Sequence, residues 1–404
     1  MIVRILMIVW TSVVTDTRVL REATTLVAAG HAVHIIGKDV PADFVPPVGL
    51  TVEGATGTST LKRAAGSAVQ VGPSRTLSPP VRLARWALLP NHVAASHRSW
   101  VKQARVLARR TVFDVVHAHD FTALPLAAEL AAEAGVPYVY DTHEYWFGRS
   151  RSGRPSPLRR RIDRRSEHRL GGKAAAVITV GDGVAAQLRS DFGWDVTVVR
   201  NSFPTSDPPL AQVAAVPTGL VYAGRIGEHR DLETVAAAAP AVAPLRVTIV
   251  GPADPTFLAG FAAQSVDVLE ALPVAEVTEL LRSQGLALVA HDGHSVNHRL
   301  AMPNKLFHAV HAGVPVVAVA TEELAQLVRT YGIGTLYEAG DARSLVAAVR
   351  EAVARYPELV AAVQSAAPEL SWASDAARLV EIYARLESPG PDRSTVPAGL
   401  EGQQ

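Results

Sequence analysis

Two doubly wound α/β domains are what this chain predicts. Three observations carry the prediction. Short β-type apolar runs alternate with longer helical stretches, a proline-rich joint interrupts the alternation once, and 404 residues exceed what one small core organises. In such domains the strands tolerate unbroken Val and Ile because helices cover both faces of a parallel sheet.

The first run, RILMIVW, reads as a buried strand. The apolar opening MIVRILMIVW is interrupted by Arg4, is too short for a membrane span and has no small-residue cleavage site. The helical TDTRVLREATTLVAAGH and the strand AVHIIG complete a first strand–helix–strand unit. FDVVHAH, TALPLAAELAAEAG and VPYVYDT make the second, and AAAVITV, GDGVAAQLRSDFG and WDVTVVRNS the third. Each carries glycine near the helix end, a stop signal. The joint is NSFPTSDPPLAQVAAVPTG, residues 201–219. Beyond it the pattern restarts with LVYAGRIG, a helix from about Asp231, LRVTIVGPAD, a helix near Val274 to Gln284, LALVAHDG, the helix of MPNKLFHAVHAG and the strand VPVVAVA. The stretch from Asp43 to Arg110 is proline-interrupted; Trp86 and Trp100 within it are expected to pack in the core rather than stack on a sugar. The tail SPGPDRSTVPAGLEGQQ has no apolar period and is expected to be disordered.

A net charge of +1 argues against a general nucleic-acid binder, whose footprint would be strongly basic. The absence of cysteine removes disulfides, thiolate zinc sites and cysteine nucleophiles together, and a cytoplasmic location is expected.

In open parallel sheets ligands bind beyond the carboxyl ends of the strands. After LVYAG, the segment GRIGEHRDLE places Arg225 and Arg230 where they can grip a diphosphate from two sides; the alternative for Arg230 is surface pairing with Asp231 or Glu233. Further on, Met302, Pro303 and Asn304 precede a helix, with Pro303 suited to its first position. Lys305 then stands at the positive end of the helix dipole, which is unfavourable unless an anion binds there. Both turns follow strands of one sheet, so one diphosphate can bridge them. In the first half, FDVVHAHD ends a strand with His117, His119 and Asp120, and DTHEYW brings His143 and Glu144. His291, His294 and His298, with His308 or His311 as a further ligand, have metal-like spacing, but only Asp292 stands nearby and no metal site is expected. The arginine-rich residues 148–173 read as a solvated helix face with Asp163 and Glu167 pairing locally. The alternative is weak contact with an anionic membrane surface or an acidic acceptor through Arg149–Arg169.

Taken in order, D-x-R-V-x-R-E-A (Asp16 to Ala23), GHAV, DVVHAHD, DTHE, AAAVITVGDGV, VVRNS, YAGRIGEHR, MPNKLF with AGVPVVA, and AARLVEIYARL resemble the retaining GT-B glycosyltransferases of family 4, from about Asp16 to Leu386. The resemblance implies two Rossmann-like domains facing a cleft: an acceptor-side domain over 1–203 and a nucleotide-sugar domain over 204–387, whose last helix is free to pack back on the first. It implies transfer of a sugar, with retention and without a metal, from a UDP- or GDP-type donor to a small-molecule or glycan acceptor. By the same resemblance Arg225 and Arg230 match the basic pair at the donor diphosphate, and Pro303, Asn304 and Lys305 the phosphate-holding turn. His119 matches the donor-sugar histidine, Met302 and His308 fall at the ribose or donor-sugar contact, and Asp16, Arg18, His143 and Glu144 lie on the acceptor side. The departure is His308, where the family usually has glutamate: a neutral imidazole offers one acceptor, not two. The partner glutamate eight positions earlier is replaced by Leu300. Two rivals stand beside it: a non-hydrolysing nucleotide-sugar epimerase, which shares the two-domain architecture, and a degenerate transferase that binds a nucleotide sugar or a partner protein.

Overall fold

The structure is a computed structural model that describes residues 2–56, 95–149, 157–204, 213–261 and 264–387. Trp86, residues 150–156 of the arginine-rich stretch and the tail 388–404 lie outside the described residues.

Both sheets are parallel wherever their pairing is resolved, and both are wound in the same order. Strands β1 (Arg4–Val9), β2 (Ala32–Lys38), β3 (Leu50–Ala55), β4 (Val115–His119), β5 (Tyr138–Thr142), β6 (Ala176–Thr179) and β7 (Val196–Val198) form a sheet in the order β3-β2-β1-β4-β5-β6-β7. Strands β8 (Gly219–Ala223), β9 (Arg246–Val250), β10 (Asp267–Leu269), β11 (Gly285–Val289), β12 (Val316–Val319) and β13 (Gly334–Tyr337) form the other, ordered β10-β9-β8-β11-β12-β13. The expected fold class is therefore the observed one. The order in which successive strands are added reverses in each sheet beside its first strand, between β1 and β4 and between β8 and β11, which pair in parallel. That reversal opens a crevice at the strand ends, where a doubly wound sheet takes its ligand. The central strands β4, β5 and β11 are buried at every position; β11 is accordingly apolar throughout, while β4 and β5 also bury polar residues, His117, His119, Asp141 and Thr142.

Helix ends follow the expected signals with shifts of one or two residues. The helix Asp120–Ala134 begins directly after β4, earlier than TALPL implies, and Asp120 adopts a left-handed φ of 62° to make the turn. The helix Asn304–Ala312 starts one residue later than expected, so Pro303 is its N-cap, in extended conformation at φ −72° and ψ 137°. Gly313 closes that helix at φ 79°, a backbone that a residue with a Cβ rarely adopts. Trp100 is fully buried and donates from Nε1 to the Gly37 carbonyl at 3.3 Å, in keeping with a core role. No described helix is long and apolar enough to cross a membrane.

By its contacts the chain divides into two compact units, one of Met1–Asp141, Ser166–Val177 and Arg378–Gln404, the other of Thr142–Arg165 and Ile178–Ala377. Within the first, an ionic network is sealed under the sheet ends. Arg18, on the helix Thr17–Ala28, grips Asp141 with Nε at 2.8 Å and Nη2 at 2.7 Å, and reaches Glu22 at 2.9 Å. Burial works against the guanidinium charge, but the two carboxylates outweigh it and its pKa is raised. His119 Nδ1 lies 3.2 Å from Asp141, and His117 Nδ1 lies 2.8 Å from the Tyr383 hydroxyl of the last helix, Trp372–Glu387. Removing one partner of such a group strands charge in the interior. Arg18→Ala is expected to cost about 3–5 kcal/mol, read as a large fall in Tm and in denaturant midpoint.

Candidate functional site

The crevice of the second sheet lies at the ends of β8 and β11, and the chain is held unusually tightly where it leaves β8. Gly224 N–H bonds to the Val250 carbonyl, Ile226 N–H to Pro252 and Asp254 N–H back to Ile226, at 2.9, 2.9 and 2.8 Å. The Tyr222 hydroxyl donates to the Arg225 carbonyl at 2.9 Å. A Cβ at Gly251 would run into the Gly224 carbonyl, so only glycine allows the two strand ends to close up. Arg225 thus stands on a fixed backbone with its side chain 67% exposed, and its nearest carboxylate, Asp254, is 3.9 Å away.

Lys305 meets this turn from the N-terminal end of the helix Asn304–Ala312. Its ammonium sits 4.7 Å from the centre of the Tyr222 ring, and a Cβ on Gly224 would lie 2.6 Å from its Cε and 3.2 Å from its Nζ. Burial, and then the charge of Arg230, push the Lys305 pKa down to about 7. No carboxylate pairs with Lys305 or Arg230 among the described residues. The surface partner expected for Arg230 is engaged elsewhere: Asp231 accepts from Thr234 at 2.6 Å, Tyr337 at 3.0 Å and the Gly340 N–H at 3.2 Å. His229 and Asp231, on either side of Arg230, both have left-handed backbones, φ 64° and 57°. Such strain persists only where the surroundings impose it and is concentrated at functional sites. Lys305 and Arg230 therefore lie within each other's field beside the Gly224 turn without a paired carboxylate among the described residues, while Arg225 stands exposed on the same turn near Asp254.

His291 follows β11 and is 3% exposed. Its Nδ1 faces the Asp292 carbonyl at 3.2 Å, which fixes the proton on that nitrogen. Burial, together with the positive charge of Lys305, His298 and Arg230, holds its pKa at about 4. His308 lies on the next turn of the Lys305 helix. Thr278 gives its hydroxyl proton to the Val274 carbonyl at 2.8 Å, so it accepts from His308 Nε2 at 2.8 Å. That leaves Nδ1 as the acceptor, and burial holds this imidazole neutral down to about 4. Phe203 stacks on the ring at 4.7 Å and 10°. The Phe203 carbonyl accepts from Trp372 N–H at 2.7 Å, and the preceding Asn201 amide bonds to Asn304 at 3.1 Å. Met302 is buried beside them, 9% exposed.

Glu144 joins the same unit: it pairs with Arg149 and accepts from Asn297 Nδ2 at 2.5 Å, on the loop after β11. His143, next to it, is half-buried. The other acceptor-side residues are in the first unit. Asp16 caps the helix Thr17–Ala28, accepting from Val19 N–H at 3.2 Å and Thr11 at 2.6 Å, and Arg18 belongs to the buried network. His119 is fully enclosed, its ring stacked on His117 at 4.4 Å. Glu22, His117, His119 and Asp141 hold their ligand atoms within 4.8 Å of one another, but the Arg18 guanidinium already spans both carboxylates. Tyr222, Gly251 and the Asp231–Tyr337 brace were not singled out in the sequence; Tyr222, three residues before Arg225, was the most readable of them.

Two family models match the chain, a glycosyl transferase 4-like domain over residues 15–202 and glycosyl transferases group 1 over residues 217–355. Among solved structures, sucrose-phosphate synthase from Thermosynechococcus elongatus is similar with a TM-score of 0.66 at 16% identity, over 95% of this chain and 98% of that one. HepE of Anabaena in complex with UDP gives 0.67 at 15%, over 95% and 100%. A glycosyltransferase from Rickettsia africae gives 0.62 at 13%, over 95% and 98%. At these identities the likeness is one of fold. No curated protein sequence matches.

The glycine turn itself is testable. Gly224→Ala places a methyl 2.6 Å from Lys305 Cε and puts a side chain on a backbone at φ 158°, so it both shifts the ammonium and strains the turn. Pyrophosphate affinity is expected to fall about fivefold to tenfold, the scale of one weakened charge-assisted contact, together with a measurable fall in Tm.

Proposed function

The chain belongs to the group 1 glycosyltransferases and has their two-domain GT-B fold, and from that premise we propose that it is a retaining transferase that needs no metal for the transfer step and binds a nucleoside-diphosphate sugar of UDP or GDP type at the end of β8. One observation carries the reading: Lys305 is packed against the Gly224 turn within the field of Arg230 and paired with no carboxylate among the described residues, and Arg225 stands exposed on that same turn. A site built this way is held at electrostatic cost until an anion enters, and a diphosphate supplies the charge and the length to meet all three. The UDP and UDP-glucose complexes of HepE support a nucleotide sugar as the co-substrate.

In the transfer, the bond between the anomeric carbon and the β-phosphate oxygen breaks, and the nucleoside diphosphate leaves with the electron pair. The acceptor forms the new bond on the same face and passes its proton to the departing phosphate oxygen, so no protein nucleophile is required. Negative charge grows on the diphosphate as the bond opens. Two guanidiniums, an ammonium and the free N–H groups at the start of the helix Asn304–Ala312 stabilise it there, which is the task a metal performs in other transferases. His308, neutral and with Nδ1 open as an acceptor, takes one ribose hydroxyl where a carboxylate would take two. The acceptor is a small molecule or a glycan.

A thermal-shift screen against a panel of nucleoside diphosphates tests the donor class; if none raises Tm, the reading fails. Arg225→Ala and Lys305→Ala are each expected to lower turnover by at least about tenfold, and near-normal kinetics in both would remove the diphosphate site.

Proton linkage gives an independent check. In the free protein the Lys305 pKa is depressed to about 7, so above that pH the side chain is mostly neutral, and a bound diphosphate draws the proton back. Affinity is therefore full below about pH 7 and weakens up to about tenfold per pH unit above it, until the pKa of the bound state is reached. Calorimetry in buffers of different ionisation enthalpy between about pH 7 and 9 is expected to show proton uptake on binding, absent in Lys305→Met.

A further inference from the structure

Three histidines gather around Asp292 on the loops that flank the cationic turn, and the transfer reading uses none of them. His229 Nδ1 lies 2.7 Å from one Asp292 oxygen, and His298 Nδ1 lies 2.9 Å from the other. The rings of His229 and His294 stack at 4.6 Å with 18° between their planes. A nitrogen from each of these two and an oxygen of Asp292 all fall within 4.8 Å of one another. The backbone brings the two loops together independently of these side chains, since Asp292 N–H bonds to the His229 carbonyl at 3.4 Å. His229 and His294 are exposed and Asp292 is half-buried, so an ion reaches the group directly from solvent.

The geometry points to a binding site for one first-row divalent cation of the zinc type, held by His229, Asp292 and His294, with His298 fixing the orientation of Asp292. Two imidazole nitrogens and one carboxylate oxygen form a borderline set that suits zinc and its neighbours and not magnesium or calcium, which take oxygen throughout. Ligand atoms about 2.0–2.2 Å from one zinc stand roughly 3.3–3.5 Å apart; none of the present spacings exceeds 4.8 Å, so adjustments on the order of 1 Å by partly exposed side chains suffice. Three protein ligands leave a fourth position for water. A hydrogen bond from a neighbouring imidazole to the ligating carboxylate is the support such ligands usually have, and His298 provides it. The spacing of His291, His294 and His298 in the sequence pointed to a different set; His291 is turned to a backbone carbonyl, and the third ligand comes from the β8 loop instead.

The ion acts as a clasp. His229 precedes Arg230, and Asp292 follows His291, so a metal here ties the loop that carries the guanidinium to the loop after β11. It takes no part in bond cleavage, since the diphosphate charge is met by the three cations.

The experiment uses the full chain without a histidine tag, stripped with chelator, and needs neither donor nor acceptor. Calorimetry with zinc chloride is expected to give one equivalent bound at micromolar Kd or tighter, with no heat from magnesium. Zinc is expected to raise the Tm of the wild type and leave that of H294A unchanged, while the two metal-free proteins melt together. H298A is expected to weaken zinc by about 10–100-fold without abolishing it, the effect of losing a carboxylate's orienting partner. If H294A fails to fold, D292N preserves volume and is expected to lose zinc equally. Zinc binding weaker than on the order of 100 μM in the wild type, or tight binding left intact by both H294A and D292N, overturns the proposal.

Discussion

An ammonium pressed against a glycine turn, out of water and paired with no carboxylate among the described residues, is the constraint on which the second sheet's site depends. Left alone, such a group favours losing its proton, and Lys305 is displaced in that direction. The surrounding structure is arranged to keep it in place regardless. Gly224 and Gly251 let two strand ends approach, Tyr222 supplies a ring face in place of a counter-ion, and Asp231 is engaged three times over so that it cannot neutralise Arg230. Two left-handed residues around Arg230 add backbone strain to the electrostatic cost. Local instability of this kind is a recurrent property of sites that await a charged ligand.

The first sheet handles buried charge in the opposite way. Arg18 is enclosed with Asp141 and Glu22, so the charges are compensated before any ligand arrives. The contrast separates structure from function more clearly than burial does, since both groups lie at the ends of comparable strands. A compensated network stiffens its surroundings; an uncompensated one selects a ligand.

Much of this was legible in the residues. The period of the apolar runs is local information, and it carried the fold class and nearly every central strand. The strand-end rule then directed attention to GRIG and MPNK, and the structure does bring Lys305 against Gly224. The short edge strands β10 and β13 leave little trace in the residues, because three or four positions are too few to establish a period. Pairings across long separations were invisible for a different reason. Nothing near Thr278 announces His308, and nothing near Tyr337 or Gly340 announces Asp231, more than a hundred residues away. The histidine cluster shows the same limit: spacing identified a loop rich in ligand types, but only folding reveals that His229 completes the set and His291 does not.

The hydrogen bond between His117 and Tyr383 has a consequence for the making of the protein. Residues from Arg378 onward are counted with the unit that begins at Met1, and Tyr383 is fully buried against the ring at the heart of β4. During synthesis the earliest strands emerge long before their closing helix exists, and the intervening unit, complete in itself, can form while they wait. Assembly of this chain therefore starts at the first sheet and returns to it once the helix Trp372–Glu387 has been made.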